Sequence, residues 1–319
     1  MKLLVSFLYA ASLSLSSMAA PPPFKVTSLA RDFADFWDAT QGMLPAERVG
    51  RFKQTVAARY PTFYGVARYD GARTQVEQDA VIARVLARFG PQRAAYLATV
   101  GKFDADLPRH AATFQAAFPD FVPIPTYFLH SLGEMDGGTR DFDGHPVLIF
   151  GADLMARLHD GDDEGAFFHH ELFHTYHRLA STVCPQPGMW QPLWHEGLAT
   201  HVSKVLNPRA TEKEMLLDFP AGSLALTKAQ LPAAWAQLAK VLDDGNAALY
   251  GPLFSTSKDN SGLAPRRGYY LGYLVARELG RTRDIHALAA LDCNDAHRLV
   301  VETVQGLERA SSAGAPPAK

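Results

Sequence analysis

Hydrophobic positions recur at helical spacing over much of this chain. Leu29, Phe33, Phe36 and Trp37 form one stripe, Val49, Phe52, Val56 and Tyr60 a second, and Val81, Val85, Leu86 and Phe89 a third. The pattern predicts helices over residues 24–118. Pro45, Pro61, Pro91, Pro108 and Pro119 are each expected where a helix starts or ends. Residues 121–129 and 147–150 are short apolar runs with aromatic and β-branched content, bounded by Pro and Gly, and read as strands. Residues 133–144 between them are rich in Gly and Asp and read as a loop. Helical periodicity returns after Ala152 and persists, with breaks, to about Glu308; residues 309–319 are small, polar and expected to be disordered. The outline is an α+β, mostly α fold: a helical region over 20–120, then a core over 121–308 with a small central sheet and a helical C-terminal part.

The opening residues do not belong to that pattern. Lys2, an apolar run from Leu3 to Leu15 and the small residues Ser17, Ala19 and Ala20 fit a secretory signal peptide of residues 1–19. The run is shorter than the roughly 18 residues a membrane span needs, so no stable membrane anchor is expected. The expected destination is the periplasm or the medium. There Cys184 and Cys293 are free to pair, with two buried thiols as the open alternative. Hydrophobic residues at 47% and charged residues at 20% describe a folded globular chain rather than a disordered one. A formal net charge of -2, with no basic block, argues against a nucleic-acid partner. A monomer is the default expectation.

The chemistry is concentrated in one string, Phe167-Phe168-His169-His170-Glu171-Leu172-Phe173-His174-Thr175-Tyr176-His177, which contains H-E-x-x-H. Asp160, Asp162, Asp163 and Glu164 precede it and place caps and negative charge at a helix start. On a helix, His170 and His174 project from one face and can hold the same ion, while Glu171 lies close enough to act on a water there without filling a coordination position. A third ligand is needed. Metzincins would supply it through Gly and His at positions that here are His177 and Ala180, so that reading fails. Glu196, in Trp194-His195-Glu196-Gly197-Leu198-Ala199, can supply it instead. Pro185, Pro187, Gly188 and Pro192 break the first helix and let the chain return. A His₂Glu set with one open position is a catalytic rather than a structural zinc arrangement.

With both strings in view, the chain resembles the gluzincins, zinc metallopeptidases with H-E-x-x-H on one helix and a glutamate followed by Gly-x-Ala on the next. It is similar as well to a group of predicted bacterial zinc proteases. The resemblance covers about residues 167–200 and a later segment, Arg266-Arg267-Gly268-Tyr269-Tyr270. It implies one Zn²⁺ per chain on His170, His174 and Glu196, Glu171 as general base, and a peptide or protein substrate. It also implies a zincin-like core whose sheet edge holds an extended substrate, with residues 127–129 or 147–150 as candidates. Gluzincins often add a tyrosine or histidine as oxyanion donor, sometimes in an Arg-x-x-Tyr pair. Tyr269 is the first candidate, Tyr270 the second, and His195 a third that adjoins a ligand. Thr200 stands where some members place an acidic residue that orients a histidine, so that support must come from elsewhere.

Two other functions fit the same residues. The density of histidines at 169, 170, 174 and 177 suits a noncatalytic transition-metal-binding protein, although metal storage has no use for Glu171. An inactive zincin scaffold that only binds is the third reading. His177 lies on the face of His170 and His174 but about 10 Å along the axis from His170, too far to share one ion. His169 points elsewhere and reads as structural.

Overall fold

A computed structural model describes residues 24–142, 144–159, 163–180, 184 and 187–314. The expected signal peptide, Asp160 and Asp162 of the acidic run, and residues 315–319 lie outside the described residues.

The chain enters through a strand, β1 (Val26–Ser28), inside a stretch whose pattern predicts helix. Three residues are too few for a period of two to show against the helical stripe that follows. Helices α1 (Ala30–Ala39), α2 (Pro45–Gln54), α3 (Pro61–Tyr64), α4 (Gln75–Arg88) and α5 (Arg93–Ala117) come next. Pro45 and Pro61 sit in first turns, where a missing N–H costs nothing. Thr74 and Glu77 form a capping box that starts α4: the Thr74 amide donates to Glu77 at 2.7 Å and the Glu77 amide to Thr74 Oγ1 at 3.3 Å. Pro108 departs from expectation, for it lies within α5 rather than at a boundary. The buried stripe of Tyr96, Val100, Phe103 and Leu107 continues past it through Ala111 and Phe114. Packing of that face outweighs the lost backbone hydrogen bond.

Three further strands, β2 (Thr126–Leu129), β3 (Gly137–Phe142) and β4 (His145–Gly151), join β1 in one mixed sheet of order β1-β2-β4-β3. Strands β1, β2 and β4 run parallel, and β3 is antiparallel to β4 with Thr139 opposite Leu148. Leu148, Ile149 and Phe150 are fully buried, as befits a strand covered on both faces. Strand β3 corrects the reading of residues 133–144 as a loop. Gly and Asp are poor strand formers, but a buried neighbour with a free ladder edge recruits the segment regardless of propensity. It also corrects the expected sheet edge: residues 127–129 and 147–150 belong to the interior strands β2 and β4, and the edge on this side is β3.

The sheet is covered by the first helices. Phe103 of α5 stacks on Phe128 of β2 with centroids 3.7 Å apart, and Phe33, Phe52, Phe89 and Tyr96 interlock edge to face beyond it. One continuous hydrophobic core runs from Leu29 to Val304, so the N-terminal helices and the later elements bury one another.

After β4 the chain is helical: α6 (Ala152–Leu158), α7 (Gly165–Ala180), α8 (Trp190–Leu206), α9 (Ser223–Ala229), α10 (Leu231–Val241), α11 (Tyr250–Phe254), α12 (Arg267–Leu279), α13 (Ile285–Ala289) and α14 (Cys293–Ser312). Helix α14 runs to Ser312, past the point where the tail was expected to begin. Buried Leu299, Val300 and Val304 anchor the helix and extend it. Helices α8 and α12 meet backbone to backbone: a Cβ on Gly197 would lie 2.2 Å from the Gly272 carbonyl carbon, and one on Gly272 would lie 2.4 Å from the Leu193 oxygen. Cys184 and Cys293 are bridged, with Cα atoms 5.4 Å apart, tying the segment between α7 and α8 to the start of α14. That resolves the open alternative for the two thiols. Among the described residues no helix is long and apolar enough to cross a membrane.

Candidate metal centre

Helix α7 is buried through Phe167, Phe168, Leu172 and Phe173, which fixes its rotation and turns His170 and His174 toward α8. Helix α8 is held by Trp190, Leu193, Trp194 and Leu198, and from its second turn Glu196 faces back. His170 Nε2 and His174 Nε2 lie 2.9 Å apart, and Glu196 Oε2 is 3.3 Å from each. Among the described residues this is the one group of three His, Cys, Asp or Glu side chains whose donor atoms all lie within 4.8 Å of one another. A tetrahedral ion with bonds of about 2.0–2.1 Å has ligand–ligand edges of about 3.3 Å. The trio therefore presents one face of such a tetrahedron, made of two imidazole nitrogens and a carboxylate oxygen. The residues fit zinc.

The electrostatics describe three mutually dependent groups. Burial and the neighbouring His174 hold His170 below its ordinary pKa. Burial opposes charge on His174 too, but there the Glu196 carboxylate and then Glu171 outweigh it and push the ring up to about 9. Burial raises Glu196, yet the two imidazoles together hold its carboxyl well below the usual range. A cation replacing that shared proton would meet a ready-made negative partner.

Glu171 sits beside the trio rather than in it. Its residue is 8% exposed, and Oε2 is buried without a hydrogen-bond partner. Burial pushes the carboxyl up to about 8; His174 works against this, while Asp136 and Glu196 add to it. Strand β3 closes over the same group. A Cβ on Gly137 would lie 2.7 Å from Glu171 Cγ and 2.7 Å from the Phe167 ring, so only glycine lets the strand approach this closely. Thr139 Oγ1 and Thr175 Oγ1, 3.4 Å apart, link β3 to α7 one turn further on.

The trio opens into a cleft of about 590 Å³ bordered by β3, α7, α8 and the start of α12. Of the proposed oxyanion donors, Tyr269 and His195 line it and Tyr270 does not. The Arg266 guanidinium lies 4.1 Å over the Tyr269 ring, whose centroid is 6.3 Å from that of His170. Burial, followed by the Glu196 charge, raises the Tyr269 phenol well above its ordinary pKa, so it stays a hydrogen-bond donor. Arg266 holds this place with a left-handed backbone, φ 57°, unusual for a residue with a side chain. Tyr270, one position on, turns about 100° round the helix and lies 5.5 Å beneath the Lys228 ammonium instead. Tyr270 therefore stands apart from Tyr269 and from the cleft. Arg267 likewise points away, its buried guanidinium paired with the half-buried Asp259 at 2.8 Å.

The remaining histidines separate cleanly. His169 Nε2 meets the His110 carbonyl at 3.0 Å and its Nδ1 meets the Asn207 amide at 2.7 Å, which makes it structural as its position suggested. His177 borders the cleft, stacked on Phe173 and edge-on to His195 at 5.2 Å, but stays outside the trio. Burial first, then His195, pushes His177 down to about 3. Thr200 donates its hydroxyl to the Glu196 carbonyl at 2.8 Å, within its own helix.

Several cleft residues escape the sequence reading, among them Gly137, Arg140 and Tyr250. The Gly137-Gly138 pair inside a predicted loop was the available signal, since glycines in a strand mark close backbone approach. Nothing in the sequence marks Tyr250. In comparisons with known proteins, no family model, no curated protein and no solved structure matches the chain.

Proposed function

We propose that this chain is an exported zinc metallopeptidase that hydrolyses peptide bonds, with one Zn²⁺ held by His170, His174 and Glu196. The observation that carries the reading is the convergence of those three donors, at tetrahedral spacing, next to the buried Glu171 Oε2, which has no hydrogen-bond partner among the described residues. Zinc, when bound, supplies Lewis acidity for a water and a substrate carbonyl.

The chain's own groups do the rest. Glu171 accepts the proton of the attacking water and returns it to the leaving amine, a role suited to a carboxylate whose pKa burial raises. Tyr269 donates its phenolic hydrogen to the developing oxyanion, and Arg266 against its ring keeps it in place. Strand β3 has one side of its ladder unpaired by the sheet and borders the cleft, so an extended peptide can add to it through main-chain hydrogen bonds. His195 is held below its ordinary pKa, first by desolvation and then by His174, which leaves it a neutral neighbour of Glu196 rather than a charged donor. The metal-storage reading is disfavoured because His169 is bonded elsewhere and His177 stands apart.

The test pairs metal analysis with a peptide-library digest. Wild type and Glu171→Gln should each retain one zinc per chain, and only wild type should release products. A zinc-loaded wild type that cleaves nothing would reject peptidase activity. Loss of zinc in neither His174→Ala nor Glu196→Ala would reject the site itself.

A further inference from the structure

A second cleft, of about 280 Å³, lies away from the metal centre at the carboxyl ends of the parallel strands β2 and β4. His130 follows β2 and Asp153 follows β4, and between them the loop through Leu132 closes the floor. Arg84 and Arg88, one turn apart on α4, and Arg157 on α6 all line this cleft.

Several other surface arginines are committed to carboxylates. Arg59 pairs with Asp32, Arg93 with Asp38 and Arg178 with Asp141. Among the described residues, Arg84, Arg88 and Arg157 have no carboxylate within salt-bridge distance, although each borders the same space. The one acid in the lining, Asp153, is already committed: Oδ1 accepts the Ser131 amide at 2.6 Å and Oδ2 the Gly133 amide at 2.7 Å. His130 is buried and its Nδ1 accepts the Leu132 amide at 3.1 Å, so its ring is neutral with the proton on Nε2. Three positive groups therefore face one carboxylate whose oxygens are turned into the loop. The excess is two charges. Val81, Val85 and Phe89 add an apolar wall from α4.

We infer that this cleft binds an organic dianion, a phosphate monoester or a dicarboxylate carried on an apolar body. Guanidinium groups suit both headgroups because their forked N–H donors match paired oxygens. The volume is at the small end for ligand pockets and suits a single ring or short chain rather than a polymer. The inference stands independently of the peptidase reading.

Isothermal titration of the full chain with phenyl phosphate, phthalate and phenol tests it. One equivalent of a dianion should bind, more weakly as salt rises, and phenol should not. The tighter of the two dianions identifies the headgroup. Arg84→Gln and Arg157→Gln should each weaken binding about tenfold and together about a hundredfold, while Arg59→Gln changes nothing. All three side chains are exposed, so the variants should fold; thermal melts check this. His174→Ala should leave binding intact. Absence of saturable binding by either dianion, or affinity unchanged in the double variant, would overturn the inference. So would binding that disappears in His174→Ala, since the anion would then sit at the metal centre.

Discussion

Helix α7 carries the same residue type on two faces with opposite consequences. His170 and His174 meet a carboxylate and each other, and among the described residues neither ring hydrogen-bonds to the backbone. His169, adjacent in sequence, has both ring nitrogens committed, one to a carbonyl and one to an amide, and burial pushes it down to about 4. One face is a set of donors waiting on one another; the other is a satisfied core. The difference teaches that histidine density says little about metal capacity. What counts is whether the neighbours leave nitrogen lone pairs converging.

That contrast can be broken most decisively at Glu171. Glu171→Gln should lower peptide turnover by about 10³-fold while zinc stoichiometry, read by mass spectrometry, stays at one per chain. Equal turnover would mean that the face of α7 beside the trio does no chemistry. On the opposite face, His169→Leu should leave zinc bound but cost about 1–3 kcal/mol in urea denaturation, because it removes two buried hydrogen bonds, one to the His110 carbonyl and one from the Asn207 amide. Zinc loss in that variant would show the faces to be coupled.

Helix α12 repeats the contrast on a smaller scale. Tyr269→Phe should lower kcat about 10–100-fold with KM nearly unchanged, while Tyr270→Phe should stay within about twofold in steady-state assays. A reversal of the two would place the donor on the wrong side of the helix. The adjacent arginines divide in the same way. Burial raises the Asp259 carboxyl, but Ser261 and then the Arg267 guanidinium together hold it well below the usual range. Its contribution is thus present above the unfolded value of about 3.9 and lost as pH falls toward the folded one. Asp259→Asn should cost about 1 kcal/mol at pH 6, and the gap to wild type should shrink on acidification. A gap that widens in acid would contradict the sign.

The trio was legible because a helix converts sequence spacing into spatial proximity. His170 and His174 needed nothing more than a period of 3.6, and Glu196 needed only a break after α7 that lets the chain return. Strand β3 was not legible for the complementary reason: its pairing partner β4 decides its conformation, and residues 137–142 carry no alternation of their own. Pro108 misled for the same cause, since the signal it gives is local and the packing that overrides it is not. The choice between Tyr269 and Tyr270 waited on the phase of α12, which its burial against α8 sets. The disulfide waited on a distance.

The meeting of Gly197 and Gly272 has a consequence for how this centre can change. With no side chain between the two helices, Glu196 and Tyr269 are indexed to each other by bare main chain, and any substitution at either glycine wedges the joint apart. Mutational drift would find that crossing a dead end, and variation would have to arise along the rim, at the exposed Arg140 or Tyr250.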